Sequence, residues 1–121
     1  MADRMLFIGW GATVRGREER AIEVFNDAVG FYGRMQQEGR IESFDVALLD
    51  PIGMGLAGYI QLHGTSAQLS ALRGDAEFRK MLVTASMIVD DLRLADGYTG
   101  PGVAREMALF QEVTTAELQH A

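Results

Sequence analysis

Along this chain, short apolar stretches are separated by two long stretches whose apolar residues recur every three or four positions. Arg4–Val14 reads as a strand, Arg17–Glu38 as a helix, Ile41–Asp50 and Leu56–His63 as strands, Thr65–Asp90 as helical, and Leu92–Tyr98 as a last strand. In the first helical stretch Ala21, Val24, Phe25, Ala28, Val29, Tyr32 and Met35 form an apolar stripe. Glu18 and Glu19 sit in its first turn, where the helix dipole favours negative charge, and Gly39 suits a left-handed C-terminal cap. Gly30 and Gly33 inside this helix each cost about 1 kcal/mol relative to alanine, and close packing on a sheet is the expected reason for them.

The second helical stretch is interrupted at Gly74-Asp75. Thr65 and Gln68 match a capping box and Asp75 a fresh N-cap, which predicts helices over Ser66–Arg73 and Ala76–Val89. The segment from Asp50 to Gly55 is rich in turn residues and predicts a hairpin connection. Gly97-Tyr98-Thr99-Gly100-Pro101-Gly102 is a break, after which a C-terminal helix is expected over about residues 103–112. The order strand, helix, strand, strand, helix, strand defines an α+β fold, the ferredoxin-like split βαβ sandwich. Its four antiparallel strands carry helices on one face. The whole of 1–121 is expected to form one such domain.

Side chains alternate along a strand, so each strand divides into two faces. Leu6, Ile8, Phe44, Val46, Leu48, Leu56, Ile60, Leu62, Leu92 and Leu94 make a uniformly apolar face, expected to be buried beneath the helices with Phe25 and Met81. The opposite face mixes Met5, Phe7, Ala47, Leu49 and Ala95 with Ser43, Asp45, Tyr59, Gln61, His63 and Arg93. It is too apolar for water and too polar for a second core, so a covering partner is expected, most simply a second copy. In the ferredoxin-like strand order 4-1-3-2, Asp45 falls opposite Tyr59 or Gln61, His63 close to Ser43, and Arg93 beside the end of the first strand near Trp10.

Composition narrows the function classes. The chain has 121 residues, no cysteine and a formal charge of −6. Without cysteine there is no disulfide, thiolate nucleophile or thiolate metal site. The negative balance, with arginines spread among acids, argues against a nucleic-acid surface. No signal sequence and no apolar run of about 20 residues is present, so a cytoplasmic protein that does not span a membrane is expected. No His/Asp/Glu cluster has metal-ligand spacing, the glycines around Trp10 lack the dinucleotide-binding spacing, and no Gly-x-Ser-x-Gly elbow occurs. Neither a metal nor any other cofactor is expected.

From Arg4 to Gly100, including Glu77-Phe78-Arg79 and the ending Asp96-Gly97-Tyr98, the chain resembles the dimeric α+β barrel superfamily. The resemblance implies two ferredoxin-like sheets face to face and a small-molecule pocket between sheet and helices or inside the barrel. It spans cofactor-independent monooxygenases, isomerases, haem-degrading enzymes and proteins without known activity, and it transfers no catalytic residue.

The candidate residues carry two readings each. His63, as an imidazole that titrates near neutrality, is a candidate general base, or else a strand-end residue capping the loop before Thr65. Asp45 is a candidate proton-transfer group or a structural ion-pair partner. Tyr59 is a candidate ligand-orienting hydroxyl, as are Tyr32 and Tyr98, or else a packing residue. Trp10, flanked by Gly9 and Gly11, and Phe7 are candidate apolar walls for a ligand, with Arg93 a candidate binding cation. Two functions compete on this evidence. One is an enzyme or binding protein for a small apolar or aromatic metabolite, with His63, Asp45 and Tyr59 taking part. The other is a non-enzymatic homodimer in which the mixed face is only an interface. A cavity of roughly 300 Å³ or more separates them.

Overall fold

A computed structural model describes residues 2–50 and 55–120. The elements in chain order are β1 (Arg4–Trp10), α1 (Glu18–Gln37), β2 (Ser43–Leu48), β3 (Gly58–Gly64), α2 (Ser66–Arg73), α3 (Ala76–Ser86), β4 (Arg93–Tyr98) and α4 (Pro101–His120). The strands form one antiparallel sheet in the order β2-β3-β1-β4. This is the expected ferredoxin-like α+β arrangement with an added C-terminal helix. In the register Asp45 stands opposite Gln61, Ser43 opposite His63, and Gly9 opposite Arg93. The hairpin turn expected around Asp50–Gly55 falls largely on residues outside the described ones.

Local signals set the helix ends. Thr65 accepts a hydrogen bond from the Gln68 amide and the Gln68 side chain accepts one from the Thr65 amide, which completes the capping box of α2. Asp75 caps α3 by accepting from the Phe78 amide. The Arg40 guanidinium, 2.8 Å away, together with that amide holds the Asp75 carboxyl below its ordinary range. At the end of α1, Gly39 adopts φ +73°, and the amides of Gly39 and Arg40 close on the carbonyls of Gln36 and Met35, the paired pattern of a Schellman cap.

Three elements, β1, α3 and α4, depart most from the expected boundaries. β1 stops at Trp10 and α3 at Ser86 because the segments that follow them bond to each other: Gly11 donates to Asp90, Asp90 to Ala12 and Val14 to Ile88, with Thr13 and Val89 forming a bridge. α4 starts earlier and runs further than residues 103–112. Pro101 serves as its first residue, where a missing amide costs nothing, and the helix formers Ala116, Glu117, Leu118 and Gln119 carry it past the β-branched Val113-Thr114-Thr115.

The core lies at one end of the helix-covered face. Leu6, Ile8, Ile60 and Leu62 from β1 and β3 meet Phe31, Tyr32 and Met35 of α1, Ile41, Leu69 and Leu72 of α2, and Phe78 of α3. Phe44, Leu92 and Leu94 pack against this cluster while half-buried. Val46 and Leu48 do not join it: they are 39% and 71% exposed. Phe25 and Met81 are only half-buried. The cause is the path of α1, whose buried residues concentrate in its C-terminal half, so the far ends of β1 and β2 have no helix pressed on them. Nor do Gly30 and Gly33 serve close packing, since a Cβ at either would meet nothing within 4 Å.

Gly30→Ala is therefore expected to raise unfolding stability by about 1 kcal/mol, whereas Leu62→Ala should lower it by roughly 2–5 kcal/mol. Urea denaturation of both variants checks the pair, and a destabilised Gly30→Ala would show that something does press on α1 at that position.

Candidate functional site

Where α1 lifts from the sheet, the gap is not filled. A cavity of about 390 Å³ opens there between α1, α3 and the strand ends. Its sheet side is made by Ile8, Trp10, Ile60 and Leu48, its helix sides by Ala21, Val24, Phe25 and Ala28 of α1 and Met81, Leu82 and Ala85 of α3. Ile88, Val89 and Leu92 close one end, on the segment latched to Gly11–Val14. Small residues on the facing helices, Ala21, Ala28 and Ala85, leave the space that larger side chains would occupy. At the rim Ile22 and Leu48 are 63% and 71% exposed, so the mouth is itself apolar.

Trp10 is held flat by a glycine across the strand pair. A Cβ at Gly58, its register partner, would come within 2.7 Å of the indole and 2.8 Å of the Ala47 carbonyl oxygen. Phe25 meets the indole edge-on with centroids 6.1 Å apart. The ring thus forms a fixed wall of the cavity.

Few polar groups reach this space. Glu18 sits at the N-terminal end of α1, where the Gly16 amide donates to its Oε1 at 3.0 Å and holds its carboxyl below the ordinary value. Tyr32 lines the inner end. Burial pushes its phenol well above the usual tyrosine range, so the hydroxyl stays protonated. It makes no hydrogen bond to a described residue, and it is not a fully buried unpaired atom. Trp10 and Thr13 are the other lining residues with a polar side-chain atom. The arrangement offers apolar walls with few polar groups, and no imidazole or paired carboxylate is among the lining residues.

The remaining sequence candidates stand elsewhere. His63, Asp45, Tyr59 and Phe7 share the open face of the sheet, away from the cavity. His63 Nε2 lies 2.8 Å from Asp45 Oδ2, a diagonal pair across β2 and β3. His63 keeps 17% of its side-chain exposure and Asp45 70%. Phe7 and Tyr59 stack at 5.3 Å, with the Phe7 ring leaning over Gly9. Arg93 spends its guanidinium on two backbone carbonyls, those of Asp91 and Gly55 at 3.1 and 3.0 Å, and so ties the turn before β4 to the start of the β3 segment. The structure thus joins His63 to Asp45 and Phe7 to Tyr59, and brings Trp10 and Tyr32 of the sequence candidates to the cavity. Sequence reading passed over Ala21, Ala28 and Ala85. Their signal was present: three alanines on the inward stripes of two facing helices imply unfilled volume beneath a large ring.

With the geometry in view, comparison with known proteins gives a consistent result at the level of fold. No protein-family model matches the chain, and no curated protein does. Among solved structures, the chain is similar to a dimeric protein of unknown function and ferredoxin-like fold from Bacteroides fragilis, with a TM-score of 0.59, 10% identity, and coverage of 79% of this chain and 96% of that one. It is also similar to a candidate antibiotic biosynthesis monooxygenase from Chloroflexus aurantiacus, with a TM-score of 0.53, 11% identity, and coverage of 80% and 93%. The chain has the ferredoxin-like fold, and its resemblance to the dimeric α+β barrels holds as a likeness of fold.

The buried phenol carries a pH signature. Its folded-state value lies above the ordinary value near 10, so the stability it contributes is complete below that pH and is lost as pH rises through and beyond it. Tyr32→Phe should flatten the alkaline fall in stability above about pH 10. Thermal melts of both proteins across that range test this, and an unchanged alkaline slope would place the hydroxyl in water.

Proposed function

We propose that this protein is a homodimer that binds a small apolar, ring-containing metabolite in the cavity between its helices and its sheet. The observation that carries the reading is the cavity: about 390 Å³ lies within the range of ligand pockets, and its walls are mostly apolar with a few residues that carry polar atoms. A ligand of this kind would stack on Trp10 and set an acceptor against the Tyr32 hydroxyl. The likeness to a candidate antibiotic biosynthesis monooxygenase supports the class of ligand only through the shared fold. A purely structural role gives no reason for an unfilled space of this size between helices and sheet.

Assembly rests on a second observation. Met5, Phe7 and Tyr59 on the sheet's open face remain half-exposed in the single chain, and α4 presents Val103, Met107, Phe110 and Val113 to water. Surfaces of this size are seldom left bare. In this reading the His63–Asp45 pair and Tyr59 belong to the interface between two sheets, and a cytoplasmic location without a cofactor completes it.

Trp10 is the only tryptophan and stands in the cavity wall, so its emission reports occupancy directly. Titration with aromatic and lactone-like metabolites should find a ligand that quenches Trp10. Ala85→Leu, which fills the cavity, should weaken that ligand at least tenfold, and His63→Ala should leave its affinity unchanged. If Ala85→Leu has no effect, the ligand binds elsewhere and the cavity reading fails. Sedimentation equilibrium at micromolar concentration should give a dimer, weakened by Phe7→Arg; a clean monomer would remove the assembly half of the proposal.

A further inference from the structure

A second, smaller recess lies at the other end of the molecule, on the helix-covered side between α2 and the β1–β4 strands. It measures about 210 Å³ and is lined by Arg4, Ser66, Leu69, Ser70, Arg73 and Asp96. Ser66, Leu69, Ser70 and Arg73 fall at steps of three and four residues, so one face of α2 supplies them all. Arg4 and Asp96 come from adjacent strands: Asp96 pairs with Leu6 in the register and Arg4 with Tyr98.

Three features distinguish this recess from an ordinary solvated surface. The Arg4 side chain is fixed before any ligand arrives, because its Nε donates to the Gly97 carbonyl at 3.1 Å and its guanidinium lies 4.2 Å from the centre of the Tyr98 ring. That leaves its two terminal nitrogens without a described partner. Neither Ser66 nor Ser70 spends its hydroxyl on a hydrogen bond to a described residue, and back-bonding to an i−4 carbonyl is one of the uses open to a serine inside a helix such as Ser70. Arg73 is held beside them by Asp96, Nη2 to Oδ2 at 3.0 Å. Two guanidinium groups face one carboxylate, so the recess is net cationic within a chain of charge −6, and the positive end of α2 adjoins it at Ser66.

We propose that this recess binds a small oxyanion of the phosphate type, free or as the headgroup of a small metabolite. Donors come from two sides, Arg4 from β1 and Ser66, Ser70 and Arg73 from one face of α2. That suits the four oxygens of a tetrahedral phosphate better than the two coplanar oxygens of a carboxylate. Asp96 then opposes the anion: its charge repels phosphate and occupies part of the Arg73 guanidinium, so an asparagine there, which still accepts from Arg73, favours binding. The site is separate from the apolar cavity and from the open sheet face, and does not depend on either.

NMR titration of the full chain with inorganic phosphate, at fixed ionic strength, tests the assignment. Saturable shifts are expected at the amides of Ser66, Ser70 and Gly97, with Trp10 emission unchanged. Arg4→Gln should weaken binding about tenfold or more, as loss of a charge-assisted contact does. Asp96→Asn should tighten it, which a purely structural ion pair would not do. Ser70→Ala, at an exposed helix position, gives a second reading should Arg4→Gln fail to fold, and is expected to weaken binding several-fold. Shifts that never saturate or fall elsewhere overturn the proposal. So does an affinity that ignores both Arg4→Gln and Ser70→Ala, or one that falls in Asp96→Asn.

Discussion

The described structure depends above all on the seating of the C-terminal half of α1 on the two central strands. Phe31, Tyr32 and Met35 are almost wholly removed from water against Leu6, Ile8, Ile60 and Leu62. Each large side chain buried in this way contributes roughly 1.5–3 kcal/mol. Because a helix is stiff, clamping one half of α1 determines where the other half goes. Its first turns stand off the sheet, and the space beneath them is the cavity. Core and cavity are two consequences of one contact.

That dependence explains how much of the fold was readable from the sequence. Helix caps are local chemistry, and Thr65 with Gln68, Asp75 and Gly39 each mark a boundary as the chain alone implied. Strand order and register follow from alternation and topology, and these placed Ser43 beside His63 and Arg93 at the end of β1. Less legible was anything set by the tilt of one element on another. Val46 and Leu48 have the same apolar character as Ile60 and Leu62, and nothing in their identity says that the helix above Ile60 will not reach them. The same holds for Gly30 and Gly33, whose small size suggested contact where the structure has open space.

The candidate site was legible in part for a related reason. Trp10 between two glycines was a correct pointer to a large ring with room beside it, although the glycine that matters most for it is Gly58, contributed by the neighbouring strand. The polar candidates were chosen because they carry chemistry, and polar residues concentrate on the face the helices leave open. The cavity lies on the other face, where the informative residues are alanines, and an absent side chain is a weak signal in a sequence.

The latch between the two crossover connections has a consequence for traffic into the cavity. At one end, Gly11, Ala12 and Val14 are joined to Ile88 and Asp90 by backbone hydrogen bonds, and those bonds must break together before the chain can part there. At the other end, the side chains of Ile22 and Leu48 stand at the rim among the described residues, and exposed side chains change rotamer within picoseconds to nanoseconds. The container is hinged shut on one side and merely curtained on the other. Among the described residues, the α1 and β2 side of the cavity yields to side-chain rotation alone, whereas the latched side yields only when backbone hydrogen bonds break.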